Sequence, residues 1–256
     1  MSKEISITAV IPCFNSAETI ERSIQSVFDQ TEAVDELIVI DDGSSDQSVE
    51  IIERLFNKNN GSLSVKLIRQ ANSGPAAARN KGIFEAKSTY IAFLDGDDAW
   101  YPDKIKNEKK VLKAAGYDLL ASVYDSAPLG YSGPVSFKRQ LLKNYFLTPC
   151  VVAKKESLLQ VGCFDESMRH AEDYYLWLKL CYRRNAFVLD TPGAYSIIGK
   201  RPFGESGLSS NLKAMHRGVQ RCYYHLNRDG MITRSTYISL YGLEKIKYFR
   251  RLWLAK

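Results

Sequence analysis

The chain has 256 residues, 45% of them hydrophobic and 25% charged, with a formal net charge of +6. This is enough apolar material for one core of ordinary size, and no apolar run approaches the roughly 18 to 20 residues of a membrane-spanning helix, so a soluble or at most peripheral protein is expected. Five scattered cysteines, Cys13, Cys150, Cys163, Cys181 and Cys222, show no C-x-x-C spacing, which argues against a disulfide framework or a zinc site and points to a reducing cytosol.

Met1-Ser-Lys-Glu runs into a strand-like segment without a separate apolar signal region. Apolar strand-like runs then alternate with helix-period runs: 5–12 then 17–30, 36–41 then 45–57, 65–69 then 74–86, and 90–94 then 102–115. Such alternation predicts β-α units and a mainly parallel sheet covered on both faces. Pro102 suits the first turn of its helix.

After Tyr117 the pattern becomes mixed. Strands are expected at 119–124 and 149–153, an amphipathic helix at 171–184, and short strands at 187–189 and 195–198. A loop at 199–211 precedes two helices. The chain therefore reads as one α/β domain over 1–210, with halves at 1–116 and 117–210, and a helical C-terminal extension at 211–256.

Four strand ends are followed by polar residues: Asn15-Ser16, Asp41-Asp42-Gly43-Ser44, Asn72-Ser73-Gly74 and Asp95-Gly96-Asp97-Asp98. Ligands of open α/β sheets bind at the carboxyl ends of the strands, so these loops outline one cleft. In Tyr90-Ile-Ala-Phe-Leu-Asp-Gly-Asp-Asp98 three carboxylates lie within four residues; like charges so close repel unless a hard cation receives them. The bland alternative makes Asp95 and Asp97 loop residues and Asp98 a helix cap. Gly96 permits a close backbone approach to a ligand.

Asp41-Asp42-Gly43-Ser44-Ser45-Asp46 gives a second acidic strand end, in which Ser44 or Ser45 caps the next helix and one aspartate remains to accept a base N–H. Glu172 and Asp173 open a helix, where they either complement its dipole or supply a general base; Asp173 is the preferred base. Of the three histidines, His170 lies near that pair and is a candidate acceptor contact, while His216 and His225 read as structural or solvated.

Taken in order, Val10-Ile-Pro-Cys-Phe-Asn15, Ile40-Asp-Asp-Gly-Ser-Ser-Asp46, Asn72-Ser-Gly-Pro-Ala-Ala-Ala-Arg-Asn80, Phe93-Leu-Asp-Gly-Asp-Asp98 and Glu172-Asp-Tyr-Tyr-Leu-Trp-Leu178 resemble the motif set of the family 2 glycosyltransferases over about residues 5–210. The resemblance implies the GT-A fold, a Rossmann-like mixed sheet flanked by helices, and halves that bind nucleotide and acceptor respectively. It implies that Pro12, Phe14 and Asn15 line the nucleotide pocket, with Phe14 packing on the base. Asp42, more than Asp41, would accept from uracil, with Arg79 near the nucleotide, Asp95 at the ribose, Asp97 on a divalent metal (Mn²⁺ or Mg²⁺) and Asp173 as catalytic base. An inverting transfer from a nucleotide sugar, a UDP-sugar by preference, to a glycan or lipid-linked glycan is the implied reaction, in bacterial-type surface polysaccharide assembly at the cytoplasmic side of the membrane.

One departure stands out. Family members often carry a basic residue and a histidine after the last strand, whereas residues 195–211 contain no histidine; Lys200 and Arg201 are the candidates to meet a diphosphate. Two rival classes are a sugar nucleotidyltransferase, which should show a Gly-rich basic loop after the first strand, and a non-catalytic nucleotide-sugar binder.

The window 244–256 holds five positive residues and one acid, so most of the net charge is a property of the tail. There Ile238, Ile246, Phe249, Leu252 and Trp253 share a helical face largely opposite Lys247, Arg250 and Arg251. A helix of this kind either lies on an anionic membrane or packs on protein. No basic and aromatic groove suggests nucleic acid.

Overall fold

The structure, a computed structural model, describes residues 5–59, 61, 63–125, 127–199 and 210–254. The first half alternates as its periodicity predicts: β1 (Ile7–Cys13), α1 (Ile20–Phe28), β2 (Glu36–Asp41), α2 (Ser48–Lys58), β3 (Ser64–Arg69), α3 (Pro75–Glu85) and β4 (Tyr90–Phe93). β2 and β4 are buried along their whole length and β1 nearly so, because helices cover both sheet faces. β3 alternates exposed and half-buried residues and carries Lys66 and Arg69, the composition of a protected edge.

The second half contributes β5 (Asp98–Trp100), α4 (Lys104–Ala115), β6 (Leu119–Tyr124), β7 (Gly133–Pro134), α5 (Phe137–Leu142), β8 (Val151–Lys154), α6 (Lys155–Gln160), α7 (Glu172–Arg183) and β9 (Ala186–Ser196). Two helices follow, α8 (Leu212–Arg228) and α9 (Arg234–Leu254). Among the described residues the strands form one sheet in the order β3-β2-β1-β4-β8-β6-β9-β5, with β7 paired to β9. β1, β2, β3 and β4 run parallel, as do β6 and β9, while β8 is antiparallel to both β4 and β6.

The chain winds from β1 through β2 to β3 on one side and returns to place β4 on the other side of β1. That reversal makes a crevice outside the carboxyl ends of β1 and β4, where Pro12 and Asp95 stand. α7 is anchored beneath it by an aromatic cluster: Phe93, Phe164 and Trp177 have ring centroids 5.5 to 5.9 Å apart. Edge-to-face and tilted contacts of this kind add to the burial of large apolar surface, and here they fix the helix that carries Asp173.

Several expectations need correction. Asp98 neither caps a helix nor sits in a loop; it starts β5, which pairs with β9 from Asp98↔Ser196 to Trp100↔Ala194. The strands expected at 187–189 and 195–198 are one strand, β9, which runs through Pro192 and Gly193 with register irregularities against β6. The expected strand at 149–153 begins later, at Val151, after a 3₁₀ turn at Thr148–Cys150. The short helices α5 and α6 had no counterpart in the sequence reading.

α9 packs on α8 through Leu240 and Glu244, both buried; Glu244 Oε1 lies 3.2 Å from His216 Nδ1, and Tyr248 stacks on His216 at 4.4 Å. His216 is thus structural, as expected. The opposite face is bare: Ile238, Ile246, Phe249 and Trp253 are each more than 60% exposed. Among the described residues no helix is long and apolar enough to cross a membrane. All five cysteines are buried and unbridged.

Candidate active site

A cleft of about 910 Å³ opens at the crevice between β1 and β4, and its lining includes Pro12, Phe14, Asn15, Asp42, Arg79, Asp95, Gly96 and Asp97. Every residue assigned to the nucleotide sugar or metal therefore reaches one cavity. Asp173 is outside this lining. Asp98 is also outside it, buried and accepting a 2.5 Å hydrogen bond from the Tyr124 hydroxyl; of the three clustered carboxylates, only Asp95 and Asp97 face the cleft.

The cleft wall is built from loops tied to one another. Asn15 adopts a left-handed φ of 48°, which asparagine tolerates, and its Oδ1 accepts from Ser45 N at 2.8 Å while its own N–H donates to Ser44 Oγ at 2.9 Å. Asp46 bridges the same two loops, accepting from Ala17 N at 3.0 Å and from Ser48 N at 3.0 Å. Partial burial raises its pKa, but these donors and the Ser48 hydroxyl outweigh that and leave it below the usual carboxylate range. The result is a rigid rim that leaves the Phe14 ring half exposed at the cleft edge.

Asp42 is buried and occupied by its own chain. Oδ1 accepts from Gln70 Nε2 at 2.8 Å and Ser73 N at 2.9 Å, and Oδ2 accepts from Gly74 N at 2.8 Å. A carboxylate offers about four acceptor positions, so one remains for a ligand donor. Its first task is to hold the β3–α3 loop against β2.

Gly96 lines the cleft and also serves packing. A Cβ there would lie 3.2 Å from Pro12 O and 3.2 Å from Ser16 Oγ, so glycine lets the β4 loop press on the β1 loop. Thr19 Oγ1 locks that contact by donating to Gly96 O at 2.7 Å.

Arg79, on α3, is buried and joins the two halves. Its Nη2 donates to Asp95 Oδ1 at 2.7 Å, its Nη1 lies 3.4 Å from Glu172 Oε1, and its guanidinium rests 5.5 Å from the Phe164 ring centre. Burial alone would lower its pKa, but Asp95 and Glu172 raise it above the ordinary arginine value. Next to it, Asn80 ties α3 to the 164–166 segment, accepting from Phe164 N at 2.9 Å and donating to Glu166 Oε1 at 2.8 Å. Glu166, Met168 and Arg169 complete the far wall. Nothing in their local sequence marks them; only Asn80, within the Asn72–Asn80 motif, hints at the contact.

α7 starts from Ala171 in the left-handed region, φ 60°, a costly conformation for alanine that aims the first turn. Asp173 is half-buried; it accepts from Tyr174 N at 2.6 Å and from Thr148 Oγ1 at 3.2 Å. Burial raises its pKa above the usual aspartate value, and the charge of Asp95 adds to this against the opposing pull of its donors and of Arg79. Glu172 is pushed up to about 7 by burial and then by the Asp173 charge, with Arg79 pulling the other way. These two neighbouring carboxyl groups lie outside the cleft lining but are joined to its Asp95 through Arg79, and paired carboxyls with raised pKa values are candidates for acid–base chemistry.

Among the described residues no group of three or more His, Cys, Asp or Glu side chains forms a metal cage. Mg²⁺ and Mn²⁺ use few carboxylates and take their remaining ligands from phosphate and water, so Asp97 at the cleft suits such an ion on a diphosphate. Lys200 and Arg201, the expected diphosphate partners, lie outside the described residues.

The glycosyl transferase family 2 model matches residues 8–162. A UDP-Glc:alpha-D-GlcNAc-diphosphoundecaprenol beta-1,3-glucosyltransferase of Escherichia coli, WfgD, is 30% identical over 213 residues, 80% of this chain and 80% of that protein. Against several other curated relatives, from Rickettsia, the chain spans only 27% to 31% of their length. Among solved structures, Staphylococcus aureus TarS 1–349 in complex with UDP-GlcNAc superposes with a TM-score of 0.76 over 96% of this chain and 73% of that chain, at 20% identity. The mannosyltransferase PcManGT of Pyrobaculum calidifontis, in complex with GDP-Man and Mn²⁺, gives 0.73 over 95% of this chain and 70% of that one, at 19% identity. At such low identity these structural likenesses establish the GT-A fold and nothing finer. With the family model covering more than half of its length, the chain belongs to glycosyl transferase family 2.

Proposed function

We propose that the protein is an inverting, metal-dependent glycosyltransferase that moves a sugar from a UDP-sugar to a hydroxyl of a glycan or lipid-linked glycan. The observation that carries this reading is the Arg79 bridge. One buried guanidinium ties Asp95, in the cleft, to Glu172, the neighbour of Asp173, so donor-side and base-side carboxylates share one rigid network.

In this reading Phe14 stacks on the base, the free acceptor position of Asp42 takes the base N–H, and Asp95 meets the ribose. Pro12, Asn15 and Gly96 shape the walls and Arg79 holds Asp95 in place. A divalent ion held by Asp97 supplies charge neutralisation for the departing diphosphate when bound. Asp173 accepts the proton of the acceptor hydroxyl as its oxygen bonds to the anomeric carbon, while the bond from that carbon to the diphosphate oxygen breaks on the opposite face. A single displacement of this kind inverts the anomeric configuration, and by analogy with glycoside hydrolysis its transition state has oxocarbenium character. The raised pKa of Asp173 suits it to proton uptake.

Residues 1–116 serve the nucleotide and 117–210 the acceptor. The bare apolar face of α9, flanked by Lys245 and Arg250, suits peripheral attachment to an anionic membrane surface, and the WfgD likeness favours a lipid-linked acceptor met there, at the cytoplasmic face, in surface polysaccharide assembly.

UDP release from a panel of UDP-sugars with Mn²⁺ and glycosyl-lipid acceptors tests the proposal. A transferase releases UDP in step with glycosylated acceptor, a nucleotidyltransferase forms or consumes pyrophosphate instead, and a binder releases nothing.

A further inference from the structure

Beside the donor cleft lies a second cavity of about 370 Å³, whose lining includes Arg169, His170, Lys213, Arg217 and Arg221 and, among the described residues, no carboxylate. Met168 and Arg169 line both cavities, so the two adjoin. Lys213, Arg217 and Arg221 follow one another at i, i+4 and i+8 on α8 and therefore share one face, with successive Cβ atoms roughly 5–6 Å apart. Such a stack destabilises a helix unless counter-charges are supplied.

Elsewhere the protein supplies them. Arg54 pairs with Glu21, Lys66 with Glu85, Lys109 with Glu32 and Arg228 with Asp229. Among the described residues, Arg169, Lys213 and Arg217 have no hydrogen bond or ion pair, while Arg221 is hydrogen-bonded to Ser167 and His225 and acts on the nearby Asp165 through its charge. Among the described residues, the buried Nδ1 atom of His170 has no partner. Close packing holds the cluster together: a Cβ on Gly218 would fall 2.5 Å from His170 O, so the glycine lets α8 press its basic face against the Arg169–His170 backbone.

We propose that this cavity binds the diphosphate of the acceptor. The inference rests on the transferase reading and deepens it, naming the acceptor as a glycan carried on a diphosphate. The spacing of the cations along α8 lets two successive turns straddle two phosphates, and charge-assisted bonds from Lys and Arg are the strongest available to phosphate oxygens. The adjoining cleft carries the acids Asp42, Asp95, Asp97 and Glu166 beside Arg79 and Arg169, so a diphosphate there calls for added positive charge such as a metal ion. The basic cavity needs none. A sugar linked to a diphosphate seated here extends across Met168 and Arg169 toward the donor.

The test is calorimetric titration of the full chain with farnesyl diphosphate, inorganic pyrophosphate and farnesol, in EDTA, followed by a separate UDP titration with Mn²⁺. The expected result is metal-independent diphosphate binding that weakens about tenfold or more in Lys213→Glu/Arg217→Glu, with UDP affinity within about twofold of the parent. Thermal unfolding of the variant checks that it folds; Lys213→Gln/Arg217→Gln repeats the test without charge reversal if it does not. Tighter binding of farnesyl diphosphate than of pyrophosphate assigns the site to a lipid-linked diphosphate, and equal binding assigns it to the diphosphate alone. No diphosphate binding in EDTA, or binding untouched by either variant, overturns the proposal. Loss of UDP binding in a folded variant also overturns it, because the cavity would then belong to the donor. Failure of the parent chain to bind UDP counts against the transferase reading and leaves the EDTA result to stand by itself.

Discussion

Arg79 Nη1 lies 3.4 Å from Glu172 Oε1, although 93 residues separate the two in the chain. With Asp95 on its other nitrogen, the guanidinium is the buried centre of a three-group network that joins α3 to the first turn of α7. Removing one member of such a network leaves partners charged and unpaired, which costs more than the pair itself contributes.

Arg79→Met should therefore destabilise the fold by about 3–5 kcal/mol and abolish UDP binding. Arg79→Lys should recover only part of either, because an ammonium cannot reach two carboxylates with a planar fork. Urea unfolding and UDP titration of both variants read the effect. Wild-type stability in Arg79→Met would show that the network does not hold the two halves.

Glu172 titrates at about 7 in the fold against roughly 4.3 in an unfolded chain. Between these values the folded state binds the extra proton, so this group's contribution to stability falls as pH rises through the window. Glu172→Gln removes that loss, by at most about 4 kcal/mol. The difference in unfolding free energy between Glu172→Gln and parent should thus grow more favourable to the variant from pH 5 to pH 8. A difference that is flat over this range would mean that Glu172 stays ionised throughout.

Asp97→Ala should eliminate the metal-dependent part of donor binding, read as UDP affinity with and without Mn²⁺, while thermal stability stays within about 1 kcal/mol of the parent. A variant that still gains affinity on adding Mn²⁺ would move the metal to other ligands.

The apolar face of α9 offers a further measurement. Truncating the helix would also strip Glu244 and Tyr248 from His216, so point changes are cleaner. Phe249→Ser/Trp253→Ser removes two large exposed side chains, and each buried CH₂ is worth about 0.8 kcal/mol in the interface. Co-sedimentation with anionic vesicles should fall about tenfold or more, with unfolding unchanged. Equal sedimentation would leave the face to a protein partner.

Much of this site was legible in the sequence because parallel strands buried on both faces read as unbroken apolar runs, and the polar residues after them mark the cleft edge directly. Asp42, Asp95 and Asp97 stood out for that reason. Asp98 was misread because its environment depends on pairing with Ser196 and on the Tyr124 hydroxyl, contacts that no local pattern encodes. β9 looked like two strands because Pro192 and Gly193 signal a break, whereas the irregular pairing with β6 absorbs them. The wall formed by Glu166, Met168 and Arg169 carries no motif; Asn80 and the aromatic cluster hold it in place from a distance. The stripe on α9 was readable because helical periodicity survives whether or not a partner covers it.

The role proposed for Asp173 is to take the proton of the attacking hydroxyl. It is tested most directly by turnover of Asp173→Asn beside its UDP-sugar affinity, in the donor and acceptor pair that gives UDP release with the parent chain. Donor affinity within about twofold of the parent and turnover reduced roughly 10² or more are expected; turnover equal to the parent would take the base role away from Asp173.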